Sequence, residues 1–216
     1  MDKIAIFGAS GFGREVLDIC HELGGRTFCF LELSPATPEL GGVPVKSDAE
    51  DVVRLLAAEG WRFAIGVGTP AVRRRIAEKY PQLPFPAIIH PSATFGRNQR
   101  EAFERASGAI VTAGVRVTNN ITVGDQVVLN LNTTVGHDSV LGDYCAMMPG
   151  VNVSGNVDVG ELVYVGTGAA IINGANDRFL KVGPRAIVGA GAVVVRDVEP
   201  DVTVVGMPAK PLSRPA

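Results

Sequence analysis

Every sixth residue between Val111 and Ile171 is apolar, and this period constrains the fold more than any other feature of the chain. A six-residue period matches neither the 3.6-residue turn of an α-helix nor the alternation of one long β-strand. It is typical of short parallel strands that coil into a three-sided prism, with roughly 18 residues in each turn. The period therefore predicts a parallel β-helix with these residues inside, namely Val111, Val117, Val123, Leu129, Val135, Leu141, Met147, Val153, Val159, Val165 and Ile171.

Two further positions of each six-residue unit, or hexad, support this interpretation. The residue after the apolar one is often Gly, as at Gly136 and Gly142, and the residue four places on is small or β-branched, from Val115 to Ala169. Glycine tolerates backbone conformations and close contacts that a side chain would oppose. We therefore expect the glycines and the small residues to lie near the corners of the prism.

The first 86 residues have a different pattern, in which short apolar runs alternate with segments of helical spacing. This alternation predicts a small parallel α/β domain over residues 1–86, and the hexads predict a β-helix with a C-terminal cap over residues 87–216. The predicted strands are 3–7, 27–31, 41–45 and 62–67, and the predicted helices are 14–23, 48–58 and 71–80. Ser47 or Asp48 is predicted to cap the second helix, and Thr69 followed by Pro70 the third.

The hexads are also interrupted. Residues 97–105 are charged and helix-prone, and they are predicted to leave the coil after a partial first turn marked by Ile89 and Phe95. Residues 173–180 are predicted to form a polar loop before the period resumes at Val182. Loops that interrupt a rigid scaffold tend to carry binding surfaces.

A glycine-rich turn from Gly8 to Gly13 joins the first predicted strand to the first predicted helix. Backbone N–H groups at such a turn favour a phosphate or pyrophosphate. The spacing is G-x-x-G-x-G, so it does not predict NAD binding, and a tight turn without a ligand is the alternative. Glu32, just past the next strand, is placed to accept hydrogen bonds from a ribose hydroxyl or a base N–H, unless it is an acid in a surface loop.

The three arginines Arg73, Arg74 and Arg75 lie on the third predicted helix. A solvated basic face is the expected interpretation, and contact of one guanidinium with a phosphate is the alternative.

Composition narrows the possible partners and the compartment. The formal net charge of −2 gives no general attraction to nucleic acid, and no apolar run is long enough for a transmembrane helix. The first residues do not read as a signal peptide. Cys20, Cys29 and Cys145 are predicted to be small core residues in a reducing compartment, so we expect a cytoplasmic protein without membrane insertion.

Three segments occur together in an order that resembles one family. They are residues 6–13 (IFGASGFG), residues 130–138 (NLNTTVGHD) and residues 205–210 (VGMPAK). The whole chain resembles the bacterial left-handed β-helix sugar acyltransferases of the PglD and NeuD type. The resemblance implies a Rossmann-like α/β domain that holds a nucleotide-linked amino sugar, followed by a left-handed parallel β-helix that forms a homotrimer with acetyl-CoA between neighbouring coils.

His137 is the residue on which the chemistry depends. It lies two places after the inward Val135, outside the predicted core, and an imidazole titrates near neutral pH and so can accept a proton there. The resemblance implies that His137 is the general base and that Asp138 raises its basicity. Because adjacent residues on a strand point to opposite faces, Asp138 is the weaker half of this pair. A surface histidine without a catalytic role is the alternative.

The resemblance implies further site residues. The predicted substrate-binding residues are Ser10, Gly11, Phe12, Gly13, Glu32 and Gly68. The predicted cofactor-binding residues are Asn130, Ala146, Gly155, Thr167 and Ala190, and the N–H of Gly155 faces the thioester carbonyl. No metal is implied. The chain departs from the pattern at three places, because Phe12 and Ala146 replace histidines and Leu33 replaces an acid.

The sequence thus predicts an acetyl-CoA-dependent N-acetyltransferase that acts directly on the amine of a nucleotide-linked sugar of the 4-amino-4,6-dideoxy type. Two alternatives remain at this point. One is acetylation of a sugar hydroxyl, as in sialic-acid-type relatives, and the other is a non-catalytic β-helix scaffold that binds a nucleotide sugar.

Overall fold

The computed structural model describes residues 2–212, and the α/β domain comes first. Its five strands are β1 (Lys3–Phe7), β2 (Thr27–Glu32), β3 (Glu39–Leu40), β4 (Val43–Ser47) and β5 (Arg62–Ile65). Its three helices are α1 (Gly11–Glu22), α2 (Glu50–Ala58) and α3 (Pro70–Lys79). The strand order is β3-β4-β2-β1-β5, and all pairs are parallel except β3 with β4. The predicted Rossmann-like domain is confirmed.

Strand β1 shows why helices cover both faces of this sheet. Alternate side chains of a strand point to opposite faces. Ile4 and Ile6 lie in the apolar cluster that contains the buried side of α1, whereas Ala5 and Phe7 lie in the cluster that contains α2 residues. The continuous apolar run of β1 is therefore explained by burial on both sides.

Two helix starts differ from the prediction. Helix α1 begins at Gly11, so the glycine turn itself forms the first helical residues. Helix α2 begins at Glu50 after Ala49, so neither Ser47 nor Asp48 is its cap; the Ser47 hydroxyl instead accepts a hydrogen bond from the Ala49 N–H at 3.2 Å. The start of α3 is as predicted, with Pro70 as its first residue.

The second part of the chain is a left-handed parallel β-helix. Its strands are β6 (Ile88–Ile89), β7 (Thr94–Phe95), β8 (Ile110–Val111), β9 (Arg116–Val117), β10 (Thr122–Val123), β11 (Val128–Leu129), β12 (Thr134–Val135), β13 (Val140–Leu141), β14 (Ala146–Met147), β15 (Asn152–Val153), β16 (Val157–Val159), β17 (Tyr164–Val165), β18 (Ala170–Ile171), β19 (Leu180–Val182), β20 (Ile187–Val188), β21 (Val193–Val194), β22 (Thr203–Val205) and β23 (Lys210–Pro211). Helix α4 (Gln99–Arg105) leaves the coil where an excursion is predicted. Strand β23 pairs antiparallel with β22 and forms the C-terminal cap.

The strands form the three faces of the prism. The eight-stranded face is β23-β22-β20-β17-β14-β11-β8-β6, the six-stranded face is β21-β18-β15-β12-β9-β7, and the four-stranded face is β10-β13-β16-β19. From β8 to β18, where the coil is uninterrupted, partners in neighbouring coils are 18 residues apart, for example Val135 and Val153. The predicted inward residues are buried, with Val123 only partly so, and so are Val182, Val188 and Val194 beyond the loop.

The corners of the prism share one backbone conformation, and the glycine pattern predicts it only in part. In each hexad the third residue after the inward one has a positive φ; these residues are Gly114, Asn120, Gln126, Asn132, Asp138, Tyr144, Gly150, Asn156, Leu162 and Gly168. We call this the turn position. The glycine directly after the inward residue does not have a positive φ. Gly136 is required there because a Cβ would lie 2.4 Å from the carbonyl carbon of Ser154 in the next coil.

The two parts of the chain share a core. Residues that point outward from the eight-stranded face, Ile110, Val128 and Ala146, belong to the same apolar cluster as Ile6 and Val16 of the α/β domain. At one end of this contact, Glu22 of α1 pairs with His90 at 2.9 Å. The α/β domain is therefore packed along the eight-stranded face.

Arg73 crosses the same junction, which corrects the prediction of a solvated basic face. Its guanidinium is completely buried and donates to the carbonyl oxygens of Ile65, at 2.6 Å, and of Gln126 in the β-helix, at 2.7 Å. Burial lowers the pKa of Arg73 to about 9. Arg74, by contrast, is partly exposed and pairs with Glu78 at 3.5 Å on its own helix.

The three cysteines are buried free thiols, and burial raises the pKa of Cys20 and of Cys145 to about 12. No helix in residues 2–212 is both long and apolar enough to cross a membrane.

The adjacent arginines offer a matched test of the junction. Arg73→Leu leaves the carbonyls of Ile65 and Gln126 without their donor in a buried place, and it should lower the free energy of unfolding by at least about 2 kcal/mol. Arg74→Leu should change it by less than about 0.5 kcal/mol, since the ion pair is exposed. Urea unfolding followed by the fluorescence of Trp61, the single tryptophan, measures both. Equal effects of the two substitutions would contradict a structural role for Arg73.

Candidate active site

The imidazole of His137 lies directly against the backbone of the next coil. His137 follows β12 and Gly155 follows β15, and the register of these strands stacks residues 18 apart. A Cβ on Gly155 would lie 2.5 Å from Nε2 of His137 and 2.6 Å from its Cε1. Gly155 is therefore the residue that leaves room for the ring. The side chain of His137 is 58 % exposed, so it is outside the core, as predicted.

Asp138 contacts His137 more closely than the sequence indicates. Asp138 occupies the turn position with φ 58°, so it is not part of a strand and its side chain is not directed to the opposite face. Its Oδ2 lies 2.7 Å from Nδ1 of His137, and its Oδ1 accepts a hydrogen bond from Nδ2 of Asn120 at 2.7 Å. The expectation that Asp138 is the weaker half of the pair is therefore corrected by the turn geometry.

These contacts determine which nitrogen of the imidazole carries the proton. The hydrogen bond from Asn120, then that from His137, holds the pKa of Asp138 below its usual value, so Asp138 is an anion at neutral pH. A carboxylate accepts hydrogen bonds but donates none, so it favours the tautomer with a proton on Nδ1. This leaves Nε2, the atom next to Gly155, as a proton acceptor.

The backbone around Gly155 is fixed on both sides. The Asn156 N–H donates to the carbonyl of His137 at 2.9 Å, and the Gly174 N–H donates to the carbonyl of Gly155 at 3.0 Å. Among the hydrogen bonds formed within residues 2–212, none uses the N–H of Gly155. A backbone N–H that is held rigidly and not otherwise engaged is suited to stabilise a developing oxyanion.

The predicted cofactor residues lie along two different edges of the prism. His137 and Gly155 lie where the six-stranded face meets the four-stranded face, which we call the His137 edge. Thr167, after β17, and Ala190, after β20, are exposed where the eight-stranded face meets the six-stranded face, which we call the Thr167 edge. Asn130 also follows a strand of the eight-stranded face, but it is nearly buried and its Oδ1 accepts from the Leu131 N–H at 2.7 Å.

Ala146 does not fit its predicted role. It points outward from the eight-stranded face into the cluster shared with the α/β domain, and it has no exposed surface. Its side chain therefore has no surface with which to contact a cofactor, and an alanine at this place is explained by domain packing.

The glycine turn is held by contacts within the domain. Oε1 of Glu32 accepts a hydrogen bond from the Ala9 N–H at 2.5 Å, so this carboxylate fixes the turn. A Cβ on Gly13 would lie 2.0 Å from the carbonyl oxygen of Gly8, so Gly13 is needed for the close approach of α1 to β1. Ser10 and Gly11 are exposed at the start of α1.

A cleft of about 370 Å³ opens at the carboxyl ends of β1 and β2. Its lining includes Gly8, Glu32 and Leu33, and also two cations: Arg75, one of the three arginines for which contact with a phosphate is the alternative prediction, and Lys79, which the sequence pattern does not indicate. These two are four residues apart and so share one face of α3. Asp48 also lines the cleft, and the two cations supply the charge with which a diphosphate could pair.

Phe12 and Gly68, also predicted to bind substrate, do not line this cleft. Phe12 is half-buried and packs in the cluster that reaches Met148, and a Cβ on Gly68 would lie 3.8 Å from Cε of Met148. Both residues therefore lie on the side of the α/β domain that faces the β-helix.

Gly155 and Gly136 should respond differently to the same substitution. In Gly155→Ala the new methyl group meets the end of a movable side chain, so the fold should keep its stability while the imidazole is displaced. In Gly136→Ala the methyl group meets the backbone of Ser154, which should cost about 1–3 kcal/mol. Thermal unfolding measures the stability of both variants, and the NMR signals of the His137 ring measure the displacement of the imidazole. An unmoved ring in Gly155→Ala would contradict the contact.

Comparison with known proteins finds relatives both of the α/β domain and of the whole chain. The family model described as "PglD N-terminal domain" matches residues 3–80. The chain is 29% identical to GDP-perosamine N-acetyltransferase from Escherichia coli O157:H7 over 223 residues, which covers 99% of this chain and 98% of that protein.

Two solved structures have the same fold over nearly the full length. The acetyltransferase domain of PglB from Neisseria gonorrhoeae FA1090 superimposes with a TM-score of 0.86 and 32% identity, over 98% of this chain and 100% of that one. PerB from Caulobacter crescentus, in complex with CoA and GDP-perosamine, superimposes with a TM-score of 0.85 and 29% identity, over 99% and 98%. The chain therefore belongs to the hexapeptide-repeat sugar acetyltransferases of the PglD type.

Proposed function

We propose that this protein transfers an acetyl group from acetyl-CoA to the amine of a nucleotide-linked amino sugar, of the 4-amino-4,6-dideoxy type. The observation that carries the proposal is the His137 ring, held by ionised Asp138 on one side and placed against Gly155 on the other. The full-length relative from Escherichia coli is named a GDP-perosamine N-acetyltransferase, and the Neisseria domain has also been solved with acetyl coenzyme A.

The proposed mechanism is a direct transfer. Nε2 of His137 removes the proton from the sugar amine as its nitrogen bonds to the acetyl carbon, and Asp138 stabilises the resulting imidazolium. The Gly155 N–H stabilises the negative charge that develops on the carbonyl oxygen. The carbon–sulfur bond then breaks, and the imidazolium returns the proton to the leaving thiolate. No metal takes part, and no residue of the chain is acetylated.

The nucleotide part of the substrate is assigned to the cleft of the α/β domain. Arg75 and Lys79 supply positive charge for the diphosphate, and the glycine turn borders this cleft at Gly8. Glu32 retains a second carboxylate oxygen, since only Oε1 is used by Ala9. That oxygen is available to a ribose hydroxyl or a base N–H.

We also propose that the active form is a homotrimer in the cytoplasm. Thr167 and Ala190 lie on the Thr167 edge, and His137 lies on the His137 edge, with the whole six-stranded face between them. Rotation about a three-fold axis brings the Thr167 edge of one copy to the His137 edge of its neighbour. Acetyl-CoA then lies in the groove between the two copies. The buried free thiols are consistent with a reducing compartment.

Replacing His137 tests the reaction. His137→Asn should lower kcat by at least about 100-fold, because a positioned base contributes this much, while the affinities for acetyl-CoA and nucleotide sugar are retained. His21→Asn, at an exposed place in the last turn of α1, is the control and should keep the activity. Thiol release and product mass are measured with UDP-, dTDP- and GDP-linked amino sugars.

The same assay separates the alternatives. A product whose acetyl group is removed by hydroxylamine would be an ester and would indicate acetylation of a hydroxyl. Binding of nucleotide sugar without thiol release for any substrate would indicate a scaffold.

Mixing two inactive variants tests whether neighbouring copies share a site. His137→Ala removes the base, and Ala190→Trp should block the proposed CoA groove. Refolded together at equal amounts, the two chains should regain about a quarter of the wild-type activity, because random assembly places intact edges together at that frequency. If the whole site lay within one chain, every chain in the mixture would carry one of the two substitutions and no activity would return. No recovery would therefore contradict a site built from two copies.

A further inference from the structure

We propose that Asn120 is a positioning residue for the His137 base. Its side-chain amide fixes the Asp138 carboxylate, and the carboxylate fixes the imidazole. The two contacts are in series: Nδ2 of Asn120 lies 2.7 Å from Oδ1 of Asp138, and Oδ2 of Asp138 lies 2.7 Å from Nδ1 of His137. Each oxygen of the carboxylate has one partner, so both its direction and its rotation are set. The inference rests on the proposed function.

The backbone places Asn120 for this contact. Asn120 and Asp138 occupy the turn position of neighbouring coils, with φ of 56° and 58°, and the Asp138 N–H donates to the carbonyl of Asn119 at 3.0 Å. Neighbouring strands are about 4.8 Å apart. At this separation two short side chains that are stacked on each other can reach hydrogen-bonding distance. After glycine, asparagine and aspartate are also the residues that best tolerate a positive φ. The stacking of turn positions in neighbouring coils therefore places the Asn120 amide under the Asp138 carboxylate without backbone strain.

The Asn120 amide is a neutral donor, so it leaves the charge of Asp138 intact, which a cation would not do. The other side chains that line the hollow beside Asp138 are uncharged; they are Thr122, Ser139, Val140, Asn156, Asn176 and Phe179. His137 is thus the titratable group that contacts Asp138. An amide orients the carboxylate but leaves its charge intact, so the full negative charge remains available to the imidazolium that forms during transfer. A lysine or arginine in place of Asn120 would neutralise it.

The side-chain hydrogen bond of Asn120 goes to Asp138 and not to the ring or to Gly155, so its loss should act through Asp138. Without the amide, the exposed carboxylate is free to rotate away from Nδ1, and the ring loses its fixed tautomer. We expect kcat to fall by roughly 10- to 100-fold, the range seen when groups that orient a histidine are removed from metal sites. The KM for acetyl-CoA should be unchanged, because the lost interaction supports the proton transfer and not binding.

Two substitutions that tolerate the positive φ form the test. Asn120→Gly removes the amide, and Asn120→Asp replaces the donor by a second carboxylate. In Asn120→Asp the added negative charge should move the acidic limb of the kcat/KM profile to higher pH, because it favours the protonated ring. Asn98→Asp is the matched control, since Asn98 is exposed with φ 59° one coil earlier and its side chain makes no capping hydrogen bond.

A double variant shows whether Asn120 acts through Asp138. The combination of Asn120→Gly with Asp138→Asn should be no slower than Asp138→Asn alone. An additive loss, or full activity with an unchanged pH profile in both Asn120 variants, would overturn the inference.

A second readout does not depend on catalysis. The ¹⁵N signals of the His137 ring report which nitrogen carries the proton, and Asn120→Gly should increase the fraction protonated on Nε2, while Asn98→Asp should not. An unchanged tautomer would overturn the inference. A changed tautomer in a protein that acetylates none of the sugars tested would support the positioning contact and refute the proposed function.

Discussion

The 18-residue spacing between neighbouring coils is the constraint on which the site depends. It places residue n directly beneath residue n + 18, so the positions of side chains at an edge are set by the coil and not by local flexibility. One column contains Asn119, His137, Gly155 and Asn173, and the next contains Asn120, Asp138, Asn156 and Gly174. The proposed base, the N–H proposed to stabilise the developing charge, and the groups that orient the proposed base all come from these two columns. A deletion of a single residue in one coil would misalign both.

The columns do different work because the backbone differs between them. At the turn position the positive φ directs the Asp138 side chain back towards His137. The His137 side chain itself extends over the next coil. The ring then needs an empty place in that coil, and Gly155 supplies it. The arrangement resembles other catalytic histidines in its chemistry, with a carboxylate behind the ring, but here both members come from consecutive residues.

Much of the fold follows from periodicity, because the period of apolar residues measures the repeat of the backbone directly. The α/β domain, the excursion at α4 and the inward residues were all predictable in this way. The contact between His137 and Asp138 was not, since it depends on a positive φ at the turn position. A signal for this geometry was present, because Asn, Asp or Gly occupies the turn position in most hexads from Gly114 to Gly168.

The junction between the two parts of the chain was hidden for a different reason. Arg73 is one of three consecutive arginines, and only the packing of α3 against Gln126 decides which of them is buried. Ala146 was likewise assigned by its place in a motif, whereas its environment is set by a helix more than a hundred residues earlier in the chain. Contacts between distant segments have no period in the sequence, so neither residue could be placed by pattern alone.

The proposed mechanism rests on one histidine. The chain has three histidines, and two are engaged in the fold: His21 packs on the ring of Phe28, with centroids 4.2 Å apart, and His90 pairs with Glu22. Phe12 packs in an apolar cluster and has no proton to exchange. His137 is left as the one imidazole presented beside an open edge. In the proposed mechanism, Asp138 and Asn120 orient this ring and so determine which of its nitrogens accepts the proton.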